Sequence, residues 1–156
     1  MRIMTDTNIL ISIAVFNSSS LDGILSYICL NHTLVLSSYI LEEVQNVVKR
    51  KFPDKITNVN EFLARLPFEL EYTPHELPKH NLFKIRDIKD EPILYSSITA
   101  DVDIIITGDN DFAEVDIERP EYGKLFDIHN IRRMMRFADC YNRGCRGLIT
   151  CRHGEI

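Results

Sequence analysis

Several features that would assign this chain to a particular class of protein are missing from its sequence. No apolar run approaches the ~20 residues of a membrane-spanning helix, and the N-terminus reaches Asp6 before any long apolar stretch, which disfavours a signal peptide. Four cysteines at irregular spacing give no disulfide framework, so a reducing cytoplasm is the expected compartment. Neither an internal repeat nor a linker divides the 156 residues.

The composition is that of a globular protein, but its charge is unevenly distributed. Hydrophobic residues make up 45% and charged residues 26% of the chain, which allows a sizeable core, and the net charge is −5. Residues 132–156 carry six arginines against two acids, whereas the preceding part holds twelve basic residues against twenty-one acids. This asymmetry suggests an acidic, metal-binding body and a basic segment that grips a polyanion.

Short apolar strands alternate with longer helical patterns along the chain. The strands are predicted at "RIMT", "TLVLS", "FELEYT", "VDIIIT" and "KLFDI". The helices are predicted at "NILISIAVF", "LDGILSYICL", "SYILEEVQNVVKRKF", "DKITNVNEFLARL" and "DEPILYSSITA", with a short one around "HNIRRMMRF". This alternation predicts an α/β fold with a mostly parallel sheet covered by helices on both faces, and a ligand site at the carboxyl ends of the strands.

Acidic residues stand at the positions where such a site is expected. Asp6 follows the first strand, and Asp109 with Asp111 follows "VDIIIT", while Asp90 precedes a helix. Each has a structural alternative, since an aspartate in such places also serves as a helix cap, a turn former or a favourable charge at a helix N-terminus.

Glu43 is harder to explain as a structural residue. On a helical wheel Glu42 points away from the apolar face, whereas Glu43 lies at its border, between Ile40 and Val47. No lysine or arginine stands three or four residues away to pair with Glu43. A carboxylate at the edge of a buried face is costly without a partner, so a cation from outside the chain is the economical solution.

Together these acids predict a metal site. Carboxylates that converge on one rim repel one another unless a cation neutralises them, and all-oxygen ligand sets favour Mg²⁺ or Mn²⁺. A haloacid-dehalogenase-like phosphatase is disfavoured, because Asn8 stands where its D-x-D motif needs a second aspartate. A dinucleotide-binding domain is disfavoured because no G-x-G-x-x-G follows the first strand.

The motifs "TDTNIL", "LEEV", "KDEPIL" and "IITGDNDF", in this order, resemble those of the PIN-domain family. The resemblance runs from Met1 to about Phe137 and implies a three-layer α/β/α sandwich with a short parallel sheet. It also implies a ribonuclease that uses Mg²⁺ or Mn²⁺, of the kind found as the toxin in prokaryotic toxin–antitoxin modules. Such relatives are commonly homodimers neutralised by a small antitoxin.

The resemblance also assigns roles to individual residues. It places the family's acidic quartet on Asp6, Glu43, Asp90 and Asp109, with Asp111 as an additional metal ligand. Asn8 and Thr107 match polar residues beside the cluster. A PIN-like module that binds RNA or protein without cutting it is the alternative, and a cleavage assay separates the two.

The C-terminal end lies largely outside the resemblance. We expect a PIN-like nuclease domain over residues 1–137 and a basic, cysteine-containing tail over residues 138–156, without stable structure. The arginines nearest to the domain, as RNA-binding candidates, are Arg132, Arg133 and Arg136. Possible zinc ligands in the tail match no common zinc motif, and they are Cys140, Cys145, Cys151 and His153.

Overall fold

The computed structural model of the protein describes residues 1–76 and 88–108, together with the backbone of one strand at residues 127–130. Its strands are β1 (Arg2–Thr5), β2 (Thr33–Ser37), β3 (Glu69–Glu71), β4 (Ile104–Thr107) and β5 (Asp127–Asn130). Its helices are α1 (Thr7–Ala14), α2 (Ser19–Asn31), α3 (Ser38–Lys51), α4 (Ile56–Arg65) and α5 (Glu91–Thr99), with 3-10 turns at Pro53–Lys55 and Ile88–Asp90.

The five strands form one sheet in the order β3-β2-β1-β4-β5, and every pairing is parallel. Parallel neighbours require crossover connections, which are almost always right-handed, so α1 to α4 cover one face and α5 covers the other. The Ser97 hydroxyl of α5 donates to the Met4 sulfur of β1 at 3.2 Å, which marks the α5 side of the sheet. The predicted three-layer α/β/α sandwich is confirmed.

The core lies on both faces of the central strands. Met4, Val35 and Ile105 are fully buried at matching register positions of β1, β2 and β4. Each such side chain stabilises the fold by roughly 1.5–3 kcal/mol through its burial. Because parallel strands are covered on both faces, they read as continuous apolar runs, which explains why "TLVLS" and "VDIIIT" were recognisable as strands.

The amino edge of the sheet is held together by Arg2. Its backbone N–H donates to Asp103 at 2.7 Å, its Nε donates to the carbonyl of Ala100 at 2.7 Å, and its Nη1 donates to Glu69 at 2.6 Å. These contacts connect β1 with the segment before β4 and with the edge strand β3. Arg2 is therefore a structural residue at the end of the sheet opposite to the predicted site.

Three predicted elements differ from the structure. β3 is only three residues long and largely exposed at the sheet edge, whereas "FELEYT" predicted six residues. β5 lies further along the chain than "KLFDI", and it includes His129 and Asn130, so their assignment to a helix or loop was wrong. Pairing of Thr107 with Asn130 extends the ladder, and these sheet hydrogen bonds outweigh the local helical pattern.

Much of the predicted loop before α5 and the whole predicted tail after residue 137 lie outside the described residues. The proposed boundary after Phe137 therefore stays a prediction. Within the part that the structure describes, no single helix is both long and apolar enough to cross a membrane. Helices α1 and α2 reach the required length and composition only when taken together, and they are bent by 116° where they meet.

Candidate active site

Asp6 stands directly at the junction between β1 and α1, and its side chain is buried with 3% exposure. Its backbone N–H donates to the carbonyl of Ile106 at 3.1 Å, which continues the pairing of β1 with β4. Its Oδ1 accepts a hydrogen bond from the backbone N–H of Ile9 at 2.9 Å, so Asp6 is the N-cap of α1. The cap alternative raised by the sequence is correct, but it uses only one of the two carboxylate oxygens.

The second oxygen of Asp6 is held by the end of β4. The hydroxyl of Thr107 and the backbone N–H of Gly108, at 3.2 Å, both donate to Oδ2. Burying a carboxylate is costly unless hydrogen bonds replace its water, and here three donors do so. The carboxylate that follows β1 is therefore oriented by the end of the adjacent strand β4 and by the first turn of α1.

Glu43 lies on α3, which packs against α1. Glu42 is exposed and Glu43 half-buried, as the helical wheel predicted. The hydroxyl of Thr7, next to Asp6, donates to Oε2 of Glu43. Within residues 1–76 and 88–108, Glu43 forms no ion pair.

Thr7 is the residue that the sequence reasoning missed. The sequence pattern considers only lysine or arginine three or four residues away as partners of Glu43, and Thr7 lies on a different helix. Its position in the first turn of α1, one residue after Asp6, is the signal that could have found it. Thr7 follows Asp6 in the chain and donates to Glu43, so it connects two of the predicted metal ligands.

Asp90 reaches the same end of the molecule through the 3-10 turn Ile88–Asp90. The hydroxyl of Tyr39, in the first turn of α3, donates to the carbonyl of Lys89 at 3.0 Å. This bond ties the turn before α5 to the N-terminal part of α3, one helical turn from Glu43. Asp90 stands at the N-cap position of α5, but its side chain makes no capping hydrogen bond.

The remaining predicted residues are not joined to this network. Asn8 is exposed in the first turn of α1, and no hydrogen bond among the described residues connects it with Asp6, Glu43 or Thr107. Asp109 and Asp111 lie outside the described residues, immediately after Gly108. The same holds for the arginine candidates Arg132, Arg133 and Arg136 and for the cysteines and histidine of the tail.

The donor chemistry at this edge fits a hard divalent cation. Among residues 1–76 and 88–108, no three aspartate, glutamate, histidine or cysteine side chains come close enough together to hold an ion. Mg²⁺ does not need such a cage, because it is commonly held by one or two carboxylates and keeps several waters. Asp6 and Glu43, which Thr7 connects at this edge, offer carboxylate oxygens of the kind that Mg²⁺ takes.

A groove of about 270 Å³ opens beside Glu43 on the outer side of α3. It is lined by Tyr39, Glu42, Glu43, Asn46, Val47, Arg50 and Lys89. The lining combines one aromatic ring, one amide and both signs of charge, which is the character of a polar binding surface and not of an apolar pocket.

Comparison with known proteins agrees with this geometry. The family profile described as PIN domain matches residues 2–111, a range that contains Asp6, Glu43, Asp90, Asp109 and Asp111. The fold is similar to a crystal structure of VapBC2 from Rickettsia felis bound to a DNA fragment from their promoter. The TM-score is 0.61 at 22% identity over 83% of this chain and 98% of that chain, which establishes the shared fold. No curated protein matches the chain significantly in sequence.

Proposed function

This chain belongs to the PIN-domain family, and from that premise we propose that it is a ribonuclease that hydrolyses RNA phosphodiester bonds with the help of Mg²⁺ or Mn²⁺. The observation that carries the proposal is the position of Asp6. Its carboxylate stands at the carboxyl edge of a parallel sheet and is oriented by donors from the first turn of α1 and from the end of β4.

The proposed metal ligands are the family's acids as they fall on this chain. Asp6, Glu43 and Asp90 would hold the ion with Asp109, and Asp111 would complete the site or orient the attacking water. When bound, the ion supplies an acidified water for in-line attack and offsets charge on the phosphate oxygens. A histidine base is then not required.

The chain's own contribution is orientation. Thr107 and Gly108 hold one oxygen of Asp6, Ile9 holds the other, and Thr7 holds Glu43. Side chains held by such secondary hydrogen bonds do not have to reorganise when a ligand binds, and losing such partners typically lowers metal affinity or activity 10- to 100-fold.

We further propose that the protein is the toxin of a toxin–antitoxin pair, a homodimer neutralised by a small antitoxin. The support is the resemblance of its motifs to those of PIN-family toxins and the fold that it shares with VapBC2. Co-expression with the product of a small neighbouring reading frame tests this part: a cognate antitoxin is expected to co-purify and to inhibit cleavage.

Cleavage of RNA by the purified protein tests the proposed reaction. We expect cutting with Mg²⁺ or Mn²⁺, no cutting with EDTA, and recovery when the metal is restored. Asp6→Asn keeps one oxygen that can cap α1 but removes the charge and the second acceptor oxygen, so it is expected to abolish cleavage while the protein stays folded. If the wild-type protein shifts RNA on a gel but leaves it intact, the nuclease proposal is wrong and the protein is a binding module.

A further inference from the structure

The groove beside Glu43 follows one face of α3. Its residues Tyr39, Glu43, Asn46 and Arg50 are separated by four, three and four positions, so their side chains form a continuous row along the helix. Glu43 and Arg50 are seven residues apart, which corresponds to ~10 Å along the helix axis. The row therefore leads from the proposed metal ligand outward to a cation.

The positive charges of the groove lie at its outer end and at its side. Arg50 is exposed, and it forms no ion pair with any of the residues that the structure describes. Lys89 lines the groove from the turn before α5, and its carbonyl holds the Tyr39 hydroxyl. Two elements that are distant in sequence thus place basic side chains around the same space.

We propose that this groove binds the single-stranded RNA next to the cut phosphate, with Arg50 contacting a neighbouring phosphate. The inference rests on the proposed ribonuclease function and names the path of its substrate. The planar guanidinium of arginine matches phosphate oxygens with two parallel hydrogen bonds. Asn46 lies between Glu43 and Arg50, where it contacts the sugar or base of the intervening nucleotide, and Tyr39 lies one helical turn before Glu43, where its ring packs against the next base.

The lining favours a single strand. Proteins that bind single-stranded nucleic acids combine cationic side chains with aromatic rings against which bases pack. This groove provides the cations Arg50 and Lys89 and the ring of Tyr39, beside the acids Glu42 and Glu43. A duplex presents its bases stacked and paired, so an aromatic ring and an amide in a narrow groove would not reach them.

The helix itself supplies a matched control. Arg50 and Lys51 are consecutive exposed cations in the last turn of α3, but Lys51 does not line the groove. Bulk electrostatic attraction would respond about equally to the loss of either charge. A contact in the groove would respond to Arg50 alone.

The experiment compares Arg50→Gln with Lys51→Gln. Binding of a labelled single-stranded RNA is measured against salt concentration in the Asp6→Asn background, so that RNA is not cut. Arg50→Gln is expected to flatten the slope of log affinity against log salt by about 0.7, and Lys51→Gln to leave it unchanged. In the otherwise wild-type enzyme, Arg50→Gln is expected to raise KM about tenfold at unchanged kcat.

The outcomes separate this inference from the function on which it rests. Equal slopes for the two variants, or tighter binding of duplex than of single-stranded RNA, would overturn the groove assignment even if the wild type cuts RNA. A wild type that does not cut RNA with Mg²⁺ or Mn²⁺ would overturn the nuclease, whatever the slopes. As a control, both variants should have the same Tm as the wild type, which shows that neither charge is needed for the fold.

Discussion

At the amino edge of the sheet, the guanidinium of Arg2 forms an ion pair with Glu69 at 2.6 Å, so a cation balances the charge of this carboxylate. At the carboxyl edge of the same strand, Asp6 and the nearby Glu43 receive hydrogen bonds from hydroxyls and backbone N–H groups. Both arrangements hold acids in place, but neutral donors orient a carboxylate without cancelling its charge. The type of partner therefore separates Glu69, which closes an edge of the fold, from Asp6 and Glu43, whose charge is left for a ligand at the proposed site.

Among these substitutions, the largest loss of cleavage is expected from removing the charge of Glu43 at the carboxyl edge. Glu43→Gln keeps the size of the side chain but removes its charge, so cleavage should fall on the order of a hundredfold if a metal contact is lost. Glu42→Gln, on the exposed side of the same helix, should leave cleavage nearly unchanged. Rates measured under single-turnover conditions check this, and similar rates for the two variants would contradict the placement of Glu43 in the site.

The second prediction concerns metal and stability. An ion that binds only the folded state stabilises it, by ~2.7 kcal/mol at a hundredfold excess over Kd, so Mn²⁺ or Mg²⁺ should raise the Tm and EDTA should reverse the rise. Asp6→Asn should abolish the response, whereas Asp103→Asn at the amino edge should keep it. A thermal shift that is the same in wild type and Asp6→Asn would mean that the ion binds elsewhere.

The third prediction concerns the contacts of Arg2 at the amino edge. Arg2→Met removes the hydrogen bonds to Ala100 and Glu69, so the free energy of unfolding should fall by about 1–2 kcal/mol. Cleavage per folded molecule should be unchanged, because the edge is structural. Urea unfolding together with activity at low temperature checks both parts. If Arg2→Met lost activity without losing stability, the amino edge would not be purely structural.

The smallest effect is expected from His32, also at the amino edge. Burial lowers the pKa of His32 below its ordinary value of 6.5, and the positive N-terminus adds to this shift. The unfolded state therefore binds the proton more readily, so stability is retained above pH 6.5 and decreases as the pH falls below it. His32→Gln should flatten this part of the stability profile. An unchanged profile would show that the ring does not titrate differently on folding.

The sequence was sufficient for the central strands β1, β2 and β4 and for the position of Glu43 on its helix, because both depend on local patterns. Buried parallel strands are continuous apolar runs, and a helical wheel separates Glu42 from Glu43 without knowledge of the neighbours. It was not sufficient for β5 or for Thr7. The bounds of β5 depend on pairing with β4, and the Thr7–Glu43 contact depends on the packing of α1 against α3, so both arise from residues distant in the chain.

The double role of Asp6 has a consequence for selection. Because Oδ1 caps α1, replacement by a residue that cannot cap costs about 1 kcal/mol of stability in addition to any lost activity. Asparagine, serine and threonine can still cap, so they separate inactivation from unfolding. Under selection against the activity of the protein, inactive alleles that still accumulate as folded protein should therefore be enriched in these three residues at position 6, whereas alleles with alanine or leucine should be found at lower cellular abundance.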